Sequence, residues 1–310
     1  MLDTLKQHIH SSQEFQKLLS SQPTIQVPHY ISGITSSFSA FLLSSLFEKT
    51  SQSLIIILPT KDDAEKFRDD CSVLIDEKLL HLYTAEVFHQ AEILDISSSL
   101  NQTETLQAIS KNTRGIYFTH ATALGFSIPP ITELQKSVIE ISVNKDIPFQ
   151  QFIHQLHEMN FEKKQFVEGY GDFSVRGGIV DVFSYNGEHP LRIEFWGDTV
   201  ESIREFDTLS QRSIRELQGA TIVPNISTLK KEKKQSLLEC FPKETLIFLY
   251  QPELSEKEFQ EIESEGVQCD FSFVEIQNYW KQFPQYVYST FHSSNSLDFH
   301  VQSQPPTNGS

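Results

Sequence analysis

The 310 residues are enough for two or three compact domains, and 38% hydrophobic with 11% aromatic residues supply ordinary cores. Acidic residues outnumber basic ones 41 to 25, a formal net charge of −16. That field repels nucleic acid and acidic membranes, so DNA binding by the chain as a whole is disfavoured.

The polar start, MLDTLKQHIHSSQEF, has a helical pattern without the apolar core of a signal peptide. The longest uninterrupted apolar run, LIIIL at 54–58, is far too short to span a bilayer. A cytoplasmic chain without membrane contact is expected. In a reducing cytosol, the widely separated Cys71, Cys240 and Cys269 read as small buried or half-buried residues.

In chain order, the first helix is expected over about 2–20, with Leu5, Ile9, Phe15, Leu18 and Leu19 near one face. Tyr30 and Ile31 lead into Gly33, and a helix over about 37–48 follows. SLIIILP at 53–59 reads as a strand buried on both faces, as in a parallel sheet. KDDAEKFRDDCSVLI reads as a helix with acidic residues suited to its N-terminal dipole, and RGIYFTH at 114–120 as another buried strand. This alternation is the α/β signature. Near 136 the rhythm changes. SVIEISV, FVEGYGDFSV, GGIVDVF, LRIEFWG and TVESIREFD read as short strands divided by turns, with a helix over 148–159. After Pro224 the pattern is mixed: a helix near 228–240, the strand ETLIFLY, the helix SEKEFQEIESEG, and strands near 270–276 and 286–291. The division expected is 1–137, a β-rich part at 138–224, a second part of the body at 225–302, and a loose tail at 303–310.

ISGITSSFSAF at 31–41 has the outline of a phosphate loop. Counting from Gly33 along G-x-x-x-x-G-K-[ST], the second glycine falls at Phe38, the lysine at Ser39 and the hydroxyl at Ala40. All three are wrong for the chemistry, and Phe38 fills space that phosphates need. The loop is read as degenerate, with no nucleotide cofactor. His8/His10 and His154/His157 are the closest histidine pairs, but no well-placed third ligand accompanies either, so no metal is expected. No nucleophile elbow occurs, and Gly169-Tyr170-Gly171 does not continue into a dinucleotide fingerprint. No catalytic residue emerges.

Strand alternation in LRIEFW sends Leu191, Ile193 and Phe195 inward and Arg192, Glu194 and Trp196 to solvent. Trp and Arg are the residues most enriched at interface hot spots, and Arg176, at a Gly-Gly turn on an adjoining strand, can join them. Pattern alone leaves two readings open. In one this is a docking patch. In the other Trp196 caps the edge of a small core while Arg192 pairs with Glu194 or Glu201.

GDFSVRGGIVDVFSYNGEHPLRIEFWGDTVESIREFDTLSQRSI at 171–214 closely resembles the N-terminal module of bacterial transcription-repair coupling factors (Mfd), itself similar to the excinuclease protein UvrB. The family pattern appears as Gly171–Phe183, Pro190–Asp198, Ser202–Asp207 and Gln211–Ser213. The likeness is strong over about 165–225 and looser in the flanks, where the degenerate loop, LIIILPTKDDAEKF and RGIYFTHATAL fit in order. The resemblance implies an α/β fold: a helicase-like parallel-sheet body that has lost its ATP site, with an inserted β-rich domain that binds the excinuclease protein UvrA. Arg176, Arg192 and Trp196 match the family's contact positions, although Phe is commoner at the last. It also implies a non-catalytic adaptor fragment. Contacts with RNA polymerase and DNA would run through domains missing from this chain, and the C-terminal domain of the same full-length factor would cover the UvrA-binding face. A UvrB-like damage-binding protein needs a working ATP loop and a tyrosine-rich hairpin, and residues 81–100 lack a tyrosine cluster. The remaining alternative is an atypical P-loop NTPase. Replacing Arg192 or Trp196 by Ala is expected to leave thermal stability nearly unchanged.

Overall fold

The computed structural model describes residues 2–34, 37–85, 96–226, 229, 234–289 and 296–299. The chain forms two compact units: Met1–Ile93 with Lys111–Ile128 and Lys234–Ser310, and Leu94–Ser110 with Pro129–Lys233. In chain order the strands are β1 His29–Ser32, β2 Leu54–Leu58, β3 Leu80–Tyr83, β4 Ile116–His120, β5 Ile139–Ser142, β6 Glu162–Lys163, β7 Asp172–Arg176, β8 Ile179–Val182, β9 Leu191–Trp196, β10 Thr199–Phe206, β11 Ser213–Leu217, β12 Gly219–Ile222, β13 Leu246–Tyr250, β14 Gln285–Tyr288 and β15 Leu297–Asp298.

The first unit is built on a seven-stranded sheet in the order β15-β1-β14-β13-β2-β4-β3, and every pairing in it is parallel. Leu54, Ile56 and Leu58 join the core that also takes Leu42, Leu43 and Leu46 of helix Ser37–Lys49 and Ala64 and Phe67 of helix Lys61–Ser72. Ile55 and Ile57 point the other way and are equally buried. A strand covered on both sides has no polar face to alternate with, which is why its sequence reads as one apolar run. The expected α/β class, a parallel-sheet body with a separate β-rich part, is what the structure has.

Several local elements differ from the sequence reading. The first helix is two, Leu2–Ser11 and Gln13–Ser20, because the Ser12 hydroxyl accepts a hydrogen bond from Phe15 N and starts a new helix. The strand expected near 270–276 is replaced by helix Phe273–Trp280. Ser272 and Glu275 form a capping box there, and Phe273, Ile276 and Trp280 bury one face at helical spacing. The last expected strand is β14, displaced toward the N-terminus, and residues 290 and 291 lie outside the described residues. So do residues 228 and 230–233 of the helix expected near 228–240, while 234–236 are described and not helical. Its described end is a single 3-10 turn, Leu237–Cys240, capped by Ser236 and Glu239. The loose tail at 303–310 is likewise outside them, as are residues 86–95 of the stretch read as lacking a tyrosine cluster.

The second unit has a six-stranded sheet, β11-β10-β9-β8-β7-β6, and a two-stranded sheet, β12-β5. All its pairings are antiparallel except β6 with β7. Phe152 and Leu156 of helix Phe149–Glu158 share a core with Phe173, Val180, Val182, Leu191, Ile193, Phe195, Val200 and Ile203 on one face of the larger sheet. The opposite face carries the site. Its level is fixed by the turn between β7 and β8. A Cβ on Gly178 would lie 2.6 Å from the Phe195 carbonyl oxygen, and the Gly178 carbonyl accepts from Phe195 N at 2.8 Å. Only glycine lets β8 approach β9 this closely here.

Candidate protein-docking face

On β9 the alternation holds as read. Leu191, Ile193 and Phe195 are buried, while Arg192, Glu194 and Trp196 occupy the opposite face. Only Trp196 stands free in solvent, at 79% exposure. Arg192 and Glu194 are half-buried and engaged with neighbours, contrary to the expectation that all three face water.

Arg192 makes a two-pronged ion pair with Asp181 of β8, its cross-strand neighbour: Nε donates to Oδ1 at 2.7 Å and Nη2 to Oδ2 at 2.9 Å. Its guanidinium lies 4.3 Å over the ring of Phe206, and Nη2 also donates to Gln211 Oε1 at 2.9 Å. Bonding to Asp181 holds the guanidinium pKa above its ordinary value, against the opposing effect of burial. Asp181 Oδ2 also accepts from Nη2 of Arg176 at the end of β7, and the Arg176 guanidinium sits 5.7 Å over Phe166. The two arginines therefore meet at one carboxylate whose side chain is 3% exposed. Glu194, one step along β9, takes Arg204 and the Ser202 hydroxyl of β10.

Trp196 does not join that cluster. It lies four residues beyond Arg192, roughly 13 Å along the strand, with Glu194 between them. Sequence reasoning missed Asp181, Gln211, Phe166 and the fully exposed Leu209 of the β10–β11 turn. Asp181 was legible, since inward Val180 and Val182 put it on the face of Arg192 by the period-2 rule used for LRIEFW. Gln211 was not, because its reach to Arg192 depends on a turn held with positive φ.

The phosphate-loop outline is a strand, a turn and a helix: β1, Gly33 at φ 66° and helix Ser37–Lys49. Thr35 and Ser36 lie outside the described residues. Phe38 packs against Phe299 at 5.9 Å between ring centres, and Ser39 and Ala40 are buried. Beside them the Tyr250 and Tyr288 rings pack at a tilt, 4.7 Å between centres. Side chains at these positions serve the core.

His154 Nδ1 lies 3.5 Å from Glu158, and His157 packs edge-on against Phe173. Among the described residues no group of His, Cys, Asp and Glu has the arrangement of a metal site. The three cysteines are unpaired. Burial pushes the Cys71 and Cys240 thiols up to about 12 and Cys269 to about 11, so none is a ready thiolate. No helix among the described residues is long and apolar enough to cross a membrane.

Residues 139–227, which span every strand from β5 to β12, match the UvrB interaction domain family. The transcription-repair-coupling factor of Bacillus subtilis (strain 168) is 28% identical over 226 residues, 72% of this chain and 19% of that protein. Those of Staphylococcus aureus strains USA300 and Mu50 are 28% and 29% identical over 224 residues, 69% of this chain and 19% of each relative. The chain thus spans about a fifth of the length of the curated relatives it matches. The sheet of the second unit thus lies in a stretch similar to the UvrB interaction domain family, within a chain similar to the transcription-repair-coupling factors.

Proposed function

We propose that the chain is an adaptor module of the transcription-repair-coupling-factor type whose outer sheet face binds UvrA, so that excision repair proteins are brought to a stalled RNA polymerase in the cytoplasm. The observation that carries this reading is Trp196. It is a large aromatic exposed on a strand whose alternate residues fill the core, inside the span of the UvrB interaction domain. An indole held in water without a structural task is the kind of group that becomes an interface anchor. Arg176 stands on the same face with part of its guanidinium free, and Arg192 supports it through Asp181. Chemistry is not assigned to the module. Contacts with RNA polymerase and DNA belong, on this reading, to other domains of a full-length factor, and its C-terminal domain covers the face until UvrA is needed.

Calorimetric titration of the chain with UvrA tests the proposal. Trp196→Ala weakens binding about 30-fold, on the order of 2 kcal/mol, and leaves the melting temperature unchanged. Unaltered affinity in a folded Trp196→Ala chain overturns the assignment of this face. Saturable ATP binding at micromolar concentration favours an NTPase instead.

A further inference from the structure

The arginines of the docking face are not two free positive charges. Of the five N–H groups of Arg192, four have acceptors: Nε and Nη2 on Asp181, Nη2 on Gln211 Oε1, and Nη1 on the Gln211 carbonyl at 3.5 Å. Its side chain is 16% exposed, against 40% for Arg176. Arg176 is the outward partner. It uses one N–H on Asp181 Oδ2, and its Nε and Nη1 have no acceptor among the described residues. The same Oδ2 serves both guanidinium groups. Without that carboxylate two like charges share a small area and repel, and Arg176, the more exposed, is the one free to swing away.

The rest of the face is balanced in the same way. Glu194 pairs with Arg204, and Lys164 pairs with Asp172 at 2.8 Å. Its remaining features are the apolar Trp196, half-exposed Phe166 and Leu209, with exposed Arg212 and Glu216, of opposite charge, making no ion pair among the described residues. A surface built like this does not attract a partner by bulk charge. It offers an oriented planar donor edge among apolar contacts.

We infer that Asp181 is the positioning residue of the docking face. It gathers Arg176 and Arg192 at one point, cancels one of their two charges, and aims the free edge of Arg176 at neutral or singly charged acceptors on a partner protein. This rests on the reading of the face as the UvrA-binding surface. Asp181 acts through Arg176 and need not touch the partner.

The test is a double-mutant cycle on the intact chain, with UvrA affinity measured by calorimetry. Asp181→Asn weakens binding about tenfold. Arg176→Ala weakens it about tenfold in the native background and less than twofold in the Asp181→Asn background. A structural effect of Asp181 alone leaves the Arg176→Ala loss the same in both, and that result overturns the inference, as does native affinity in Asp181→Asn. Should Asp181→Asn not fold, Asp181→Glu decides: it keeps the charge but moves the carboxylate by one methylene, so binding falls several-fold and Arg176→Ala then costs less than twofold, whereas native affinity with the full tenfold Arg176→Ala loss overturns the inference. If the unmodified chain does not bind UvrA at all, the functional reading fails. If it binds and depends on Trp196 but shows no coupling between Asp181 and Arg176, only the inference fails.

Discussion

The two sheets put the same kind of strand to opposite uses. In the first unit β2 is buried along its whole length, and each residue faces a core on one side or the other. In the second unit β9 is buried at every other residue, and its free face carries charge pairs and an exposed indole. In the sheet with the outline of a catalytic loop, Phe38 packs against Phe299 and Tyr250 against Tyr288 at that end. The sheet with no catalytic outline has a second face that is covered around Asp181, Phe183 and Phe206 and open at Trp196. In this chain the place to look for function is the strand that leaves a large aromatic side chain in solvent.

Three perturbations separate the two sheets. The largest is Ile56→Ala, which removes a fully buried side chain from the all-parallel sheet and costs about 4 kcal/mol. Chemical denaturation measures it. A loss under about 1 kcal/mol breaks the claim that this sheet is packed on both sides. The next is Arg192→Ala, which strips the buried Asp181 carboxylate of its two-pronged partner and lowers stability by about 2 kcal/mol. That departs from the sequence expectation of no effect, and the Phe206 ring loses its cation as well. Trp196→Ala, by contrast, stays within about 0.5 kcal/mol in the same assay. Equal costs for the two variants erase the distinction between an anchored and a free residue on the face.

The third concerns acid. Burial lowers His81 to about 4 and His120 to about 3, and both lie in the parallel sheet, on β3 and β4. Their folded values are below the ordinary 6.5, so the unfolded chain binds the protons first. The stability they contribute is complete above about pH 6.5 and declines as the pH falls toward the folded values. By pH 5 each has lost roughly 1–2 kcal/mol. Thermal unfolding at pH 7 and pH 5 measures the difference, and His120→Asn flattens it. An unchanged pH slope in that variant means His120 is not buried as described.

The parallel sheet was readable because LIIIL and IYFTH are apolar without alternation and sit between helix-patterned segments. The outer face was readable as a face, since LRIEFW alternates. Its wiring was not. Nothing in the spacing of Arg176 and Arg192 says that they converge on one oxygen of Asp181. That follows from the register of three strands, with Arg176 opposite Ile179 and Asp181 opposite Arg192. Sequence also failed at 270–276, where the apolar pattern FSFVEI fits a strand and the capping box at Ser272 and Glu275 decides for a helix.

Gly178 makes that register a matter of inside and outside. Side chains along β8 alternate between core and open face, so a slip of one residue against β9 would turn Asp181 toward Ile193 and bring Val180 or Val182 outside. An insertion of one residue in this hairpin would therefore not lengthen a loop. It would exchange the chain's inside for its outside over a whole strand, dissolving the cluster without altering any of the residues that compose it.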